Sequence, residues 1–225
     1  MGLDMYLNRM PRYKDATAED VSAVESYLDW IKAKAEGSEY AKGTFKDWCG
    51  REEIPSHEHL EFYSEFYETK YSSWDAGHKY GYSRIMDQVG YWRKANEIHN
   101  WFVENVQDGE DDCCYHREVT REVLEELLDI CNKVLASCDL INGKIENGYD
   151  FDENGKRIPI LEDGQYVKDS SVAEELLPTT SGFFFGGTSY DEYYVEDIKN
   201  TIDIITEVLK TTDFEKEMVY YVSSW

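Results

Sequence analysis

Apolar and polar positions alternate along this chain with two periods, and the places where the period changes mark its elements. Residues 2–10, GLDMYLNRM, repeat every second position. Leu3, Met5 and Leu7 stand against Asp4, Tyr6 and Asn8, which predicts a strand with one buried face, ended by Pro11. Thr17 and Asp20 then have the spacing of a capping box. They open a helix whose inner stripe is Val21, Val24, Leu28 and Ile31, closed by Gly37. Residues 38–53 read as loop with a short helical turn at Phe45–Cys49. Pro55 and Ser56 start a helix carrying Leu60, Tyr63, Phe66 and Tyr67, and residues 71–81 read as loop.

The longest helical pattern is YSRIMDQVGYWRKANEIHNWFVENVQ, residues 82–107. At about 100° per residue, Ile85, Val89, Tyr91, Trp92, Ala95, Ile98, Phe102, Val103 and Val106 fill one half of the wheel. Arg93, Lys94, Glu97, Asn100 and Glu104 fill the other. So wide an apolar face predicts the central helix of the fold. Asn96 and His99 fall inside the apolar half and Trp101 inside the polar half.

An acidic loop, QDGEDDCCYH, occupies 107–116. A helix from Glu118 to Ser137 follows, with Val119, Val123, Leu127, Ile130, Cys131, Val134 and Cys138 inward. Asn142-Gly143, Asn147-Gly148, Asn154-Gly155 and Asp163-Gly164 then punctuate short strand-like runs. They predict a β-meander over 139–168, inserted between helices. A short helix at 171–177 stops at Pro178, and Phe183–Phe185 is an apolar run bracketed by glycines. A helix over 191–211 is capped by Asp191, and MVYYVSSW makes a last strand, the expected neighbour of the first. The class is α+β: a helical core of about five helices beside a small, mostly antiparallel sheet. The length of 225 residues suits a single domain over 1–225 with the 139–168 insertion inside it.

Charge changes the picture. The net charge is −24; residues 1–100 hold 18 acids and 13 bases, and residues 101–225 hold 29 and 10. That balance argues against direct nucleic-acid binding and leaves two readings, ordinary solubility or an acidic surface that engages a partner with a basic surface. With 18 Tyr, 9 Phe and 6 Trp, the chain is rich in side chains that sit at cores and interfaces. Five unevenly spaced cysteines make a poor disulfide framework. No signal peptide and no membrane-length apolar run is visible, so a cytoplasmic location is expected.

Candidate chemistry is sparse. Trp92, Asn96 and His99, with backbone donors from a Ser181–Gly187 turn (Ser181, Gly182, Phe184), could line a pocket in which His99 acts as acid or base beside a carboxylate such as Asp4. The alternative is a buried, hydrogen-bonded network. Asp150, Asp152, Asn154 and Gly155 match the first half of a calcium loop. Leu161 stands where the last ligand belongs, and a hairpin tip explains the same residues. Cys113, Cys114 and His116 lack zinc spacing, so no metal and no cofactor is expected. Acids gather at Glu110, Asp111 and Asp112 and on the following helix at Glu122, Glu125 and Asp129. They read as a solvated face or, with Trp101, as a candidate interaction surface that docks onto a basic protein.

Four stretches carry a resemblance: MGLDMYL at 1–7, VGYWRKANEIHNWFVENVQDG at 89–109, ELLPTTSGFFFGGTSYDEYYVEDI at 175–198, and the terminal YYVSSW. Together they resemble an uncharacterised protein family of bacteriophages and prophages, some of whose members are labelled phosphoglycerate kinase. The chain is about half the size such a two-domain kinase needs and has no nucleotide loop. The resemblance implies a cytoplasmic, virus-associated protein and transfers no catalytic residue. The expected function is a non-enzymatic accessory protein that binds and modulates a host protein. The alternative is a small enzyme or ligand-binding domain around Asn96 and His99.

Overall fold

The computed structural model describes residues 2–67, 85–182 and 184–225. The loop expected at 71–81, the start of the expected helix at 82–84, and Phe183 lie outside the described residues. The elements in chain order are β1 (Asp4–Pro11), α1 (Ala18–Ala35), α2 (Phe45–Cys49), α3 (His57–Ser64), β2 (Asp87–Arg93), α4 (Asn96–Val106) and β3 (Arg117–Val119). They continue with α5 (Arg121–Ser137), β4 (Leu140–Phe151), β5 (Arg157–Val167), α6 (Ser171–Leu176), α7 (Glu192–Thr211) and β6 (Glu217–Ser224). One sheet has the strand order β2-β1-β6-β3, so the first and last strands are neighbours as their patterns predict. The other sheet is β4 paired with β5. The fold is α+β, with seven α-helices and a small antiparallel sheet beside a two-stranded one among the described residues.

The described chain divides into two compact units. One comprises residues 8–88 and 213–220. Its core gathers Met10, Val21, Val24, Tyr63, Ile85, Met86, Met218 and Tyr220. The Thr17 hydroxyl accepts from the Asp20 amide while the Asp20 carboxylate accepts from the Thr17 amide, so the predicted box starts α1. Tyr63 is wholly buried and donates its hydroxyl to the Pro11 carbonyl, which satisfies the polar end of an interior ring.

The other unit comprises residues 1–7, 89–212 and 221–225. Leu3, Met5 and Leu7 fill its interior with Trp92, Ile98, Phe102, Leu124, Leu127, Ile198, Ile205 and Tyr221. Phe102 stacks on Tyr221 at 4.0 Å between centroids. Asp191 caps α7 through the amides of Tyr193 and Tyr194, as expected.

The single helix expected over 82–107 is a strand, a break and a shorter helix. In β2 the buried residues are Gly90 and Trp92 while Val89 and Tyr91 are half-buried, so the run also fits period two. Gly90 decides between the periods. A Cβ there would lie 2.7 Å from Ile204 Cγ2 and 3.3 Å from Leu7 Cβ, so neighbouring side chains already occupy the space a side chain at 90 would need. Glycine is also a weak helix former. Lys94, at φ 63°, turns the chain out of the strand, and its amide donates to the Leu3 carbonyl at 2.8 Å.

The inserted segment is one long hairpin. Gly143 pairs with Gly164, so neither Asn142-Gly143 nor Asp163-Gly164 turns the chain. Asn147-Gly148 makes an irregularity between Glu146 and Tyr149, with Gly148 at φ 90°. The turn lies at Asp152–Lys156, where the Asp152 carboxylate accepts from the amides of Asn154 and Lys156.

Candidate functional site

Asn96 opens α4 and is 2 % exposed. Its amide nitrogen donates to the carbonyls of Phe185 (3.1 Å) and Gly187 (2.7 Å), and its oxygen accepts from the Thr180 amide at 2.7 Å. One side chain thereby closes the loop 180–187 from both ends. The Leu3 amide donates to the Phe184 carbonyl at 3.1 Å and joins the same loop to the chain start. Both donors and the acceptor of Asn96 are occupied by backbone, so its amide acts as a clamp. Ser181 and Gly182 are exposed and Phe184 is half-buried.

His99, one turn on, is 1 % exposed. Its Nδ1 lies 2.7 Å from the Tyr221 hydroxyl and its Nε2 lies 3.1 Å from Asp111 Oδ2. A carboxylate can only accept, so Nε2 carries the proton and Tyr221 donates to Nδ1. The Phe185 ring meets the imidazole edge-on at 5.0 Å. Burial pulls the His99 pKa down and Asp111 pulls it back up, with a net fall. Burial, then the Asp111 charge, drives the Tyr221 phenol well above its ordinary value. The result is a hydrogen-bonded chain from a neutral Tyr221 through a neutral His99 to the Asp111 carboxylate, with both ring nitrogens engaged. The carboxylate beside His99 is Asp111; Asp4 instead accepts from Tyr91 and Arg93. Trp92 is buried and donates Nε1 to the Thr201 hydroxyl at 2.9 Å.

Two expectations for α4 are overturned. Trp101, expected on a polar face, is 6 % exposed, and Glu97, expected beside it, is 2 % exposed. Seven of the eleven residues of α4 are buried, Asn96 to His99 consecutively. Of the wheel's polar positions within α4, Glu97 is buried, Asn100 half-buried and Glu104 exposed, so the wet face is confined to the end of the helix. Glu97 Oε1 has no hydrogen-bond partner among the described residues. Burial first, then Asp197, raises the Glu97 pKa well above the ordinary carboxylate range. Asp197 is itself pushed up to about 7 by burial, then by Glu196 and Asp191. Glu97 also helps burial drive the Cys131 thiol up to about 12. This acid cluster escaped sequence reading because nothing in helical spacing distinguishes a buried Glu from an exposed one.

The acidic candidates separate. Asp111 holds His99, and Asp112 accepts from Gln107 Nε2 and from Arg117 Nε. Glu110 is exposed, as are Glu122, Glu125 and Asp129 along α5. Arg121 lies 3.5 Å from Glu125, and Lys133 pairs with Asp129. Such exposed pairs contribute at most about 1 kcal/mol each.

A candidate surface that sequence reading missed is the outer half of the β4–β5 arm. At its base Ile145 and Val167 are buried. The Val167 amide donates to the Tyr190 carbonyl, and Tyr193 of α7 donates to Glu162 at 3.2 Å. Outward from there the apolar side chains lose their cover. Phe151 is 57 % and Leu161 55 % exposed, and Tyr149, Ile158 and Ile160 are about half exposed. Register places Tyr149 beside Pro159 and Asp150 beside Ile158. Tyr149, Phe151 and Leu161 therefore share one face and Ile158 and Ile160 the other. The Tyr149 and Phe151 rings touch edge-on at 5.5 Å. Five carboxylates (Glu146, Asp150, Asp152, Glu153, Glu162) and two bases (Lys156, Arg157) surround them in the sequence.

Among the described residues no helix is long and apolar enough to cross a membrane, and no group of three or more His, Cys, Asp or Glu side chains is placed to hold a metal ion. Compared with protein-family models, with curated proteins and with solved structures, the chain matches none.

Proposed function

We propose that this chain is a non-catalytic binding protein that docks a partner protein through the outer half of the β4–β5 arm. The observation that carries the reading is the set of five large apolar side chains standing in water on both faces of a two-stranded ribbon. Such a ribbon has no interior of its own and gains little stability from exposed aromatics. An apolar patch with a charged rim is the pattern of an interface. The rim is acidic and the whole chain carries −24, so like-charge repulsion opposes a second copy and favours a partner with Lys and Arg around an apolar strip. In the setting that the phage-family resemblance implies, that partner is a host protein in the cytoplasm, and docking modulates it. Asn96 and His99 serve this function as scaffold, since their hydrogen-bonding groups are taken up within the fold.

The test is affinity purification from cell extract, identification of the retained protein by mass spectrometry, and rebinding of that protein in purified form. A basic partner should bind the wild type, lose at least about tenfold in affinity to Phe151→Asp combined with Ile160→Asp, and associate more slowly as salt rises from about 50 to 200 mM. Undiminished binding by the double variant would reject the arm as the docking site. Self-association of the wild type through the arm, seen by sedimentation, would replace the partner with a second copy.

A further inference from the structure

The loop between α4 and β3 presents two adjacent thiols on the same side of the chain. In extended backbone, consecutive side chains point to opposite faces. Cys114 is instead left-handed, at φ 73°, and Cys113 Sγ and Cys114 Sγ lie 3.2 Å apart, against about 2.05 Å for a disulfide bond. Both cysteines are free; Cys114 is exposed and Cys113 half-buried, so small solutes reach them. The loop is tied down around the pair. The Cys114 amide donates to the Ser223 carbonyl at 2.7 Å and the Tyr115 amide to the Asp112 carbonyl at 3.1 Å. The carboxylates of Asp111 and Asp112 are held by His99 and by Gln107 and Arg117. The thiols are therefore brought together by anchored backbone, with little freedom left to lose on bonding.

We propose that Cys113 and Cys114 are a reversible dithiol–disulfide pair, oxidised by small neutral hydroperoxides. The Cys114 sulfur attacks one peroxide oxygen. The O–O bond breaks, the departing oxygen leaves as water with the thiol proton, and a sulfenic acid forms on Cys114. The Cys113 sulfur then attacks that sulfur. The S–S bond forms, the S–O bond breaks, and a second water leaves with the Cys113 proton. Two thiols give up two electrons and one hydrogen peroxide becomes two waters; an external dithiol reverses the change. The choice of oxidant follows from charge. Residues 107–116 carry four carboxylates and no Lys or Arg, which repels anionic oxidants and leaves a neutral one free to approach. The bond from Cys113, then burial, holds the Cys114 thiol above its ordinary pKa, so oxidation should quicken as pH rises above neutral.

The test uses the full chain treated with hydrogen peroxide at mildly alkaline pH, blocked with N-ethylmaleimide and weighed intact. The wild type should lose two hydrogens, with the loss mapped to the peptide containing 113 and 114 and restored by dithiothreitol. In Cys113→Ser the sulfenic acid has no neighbour to condense with, so dimedone should label Cys114 about tenfold more than in the wild type. Full maleimide labelling of both cysteines after peroxide, equal dimedone labelling of wild type and variant, or a disulfide joining two chains would each overturn the proposal.

Discussion

Around His99 the molecule buries polar groups, and along the outer β4–β5 arm it leaves apolar ones in water. In the first region hydrogen bonds match Asn96 at every donor and acceptor and His99 at both nitrogens. In the second, Tyr149, Phe151, Ile158, Ile160 and Leu161 have the composition of a core without its cover. A buried polar group with all its partners stabilises one geometry. An exposed apolar group without cover is favourable only when something else covers it. The inside of the unit thus reads as structure, and the exposed ribbon is the surface on which the proposed docking rests.

Substitutions can break that contrast, beginning where the largest effect is expected. Asn96→Ala removes three hydrogen bonds and frees both ends of the loop 180–187. It should cost about 2–4 kcal/mol of unfolding free energy by urea titration; a loss below about 0.5 kcal/mol, the size typical of a surface change, would remove its role as a clamp. His99→Ala leaves the Tyr221 hydroxyl and Asp111 without their central partner and should cost about 1–3 kcal/mol. An unchanged melting temperature would mean that the Tyr221–His99–Asp111 chain contributes nothing.

The acid cluster sharpens the contrast through pH. Folding raises the pKa of Glu97 above 4.5 and that of Asp197 from 3.8 to about 7, so the folded chain holds these protons more tightly than the unfolded one. Stability should therefore fall as pH rises from about 4 toward and beyond neutrality. Glu97→Gln should remove part of that slope and stabilise by about 1–2 kcal/mol at pH 8 while changing little near pH 4. His99 acts in the opposite sense. Folding lowers its pKa from 6.5, so its contribution is lost as pH drops below that value. A variant whose stability profile is parallel to the wild type's from pH 4 to 8 would show that Glu97 does not titrate in this range. The smallest stability effect is expected on the arm. Phe151→Ser and Ile160→Ser should each shift stability by less than about 0.5 kcal/mol; a cooperative loss of several times that would mean that those side chains are already covered in the free protein.

Local chemistry made much of this fold legible. The Thr17–Asp20 box, the Asp191 cap, the turn at Asn154-Gly155 and the pairing of the first strand with the last all follow from short stretches. Burial and hydrogen bonding of Asn96 and His99 follow from their place in an apolar run. Long-range partners were not legible. Nothing near His99 in sequence points to Tyr221, 122 residues away. The stretch 89–92 satisfies both periods, and the close packing at Gly90 in the strand involves Ile204 and Leu7, far from it in sequence. Trp101 and Glu97 misled because a wheel assumes one wet face along the whole helix, and the exposed residues of α4 lie only toward its end. The arm misled differently: apolar residues in strands imply a cover, and register leaves the outer pairs without one.

The close approach at Gly90 also sets an order on how this sequence can change over time. Ile204 meets the vacant Cβ position through Cγ2, a branch methyl on a stiff rotamer, which cannot swing aside as a long side chain would. Alanine at 90 is thus blocked while isoleucine stands at 204. Trimming 204 to alanine first opens a small void, a step with a moderate cost in stability, and alanine at 90 can then fill it with a shift of a few tenths of an ångström at Leu7. A lineage that acquires a side chain at 90 should carry the smaller residue at 204 as the older substitution, and the two positions should drift as a linked pair.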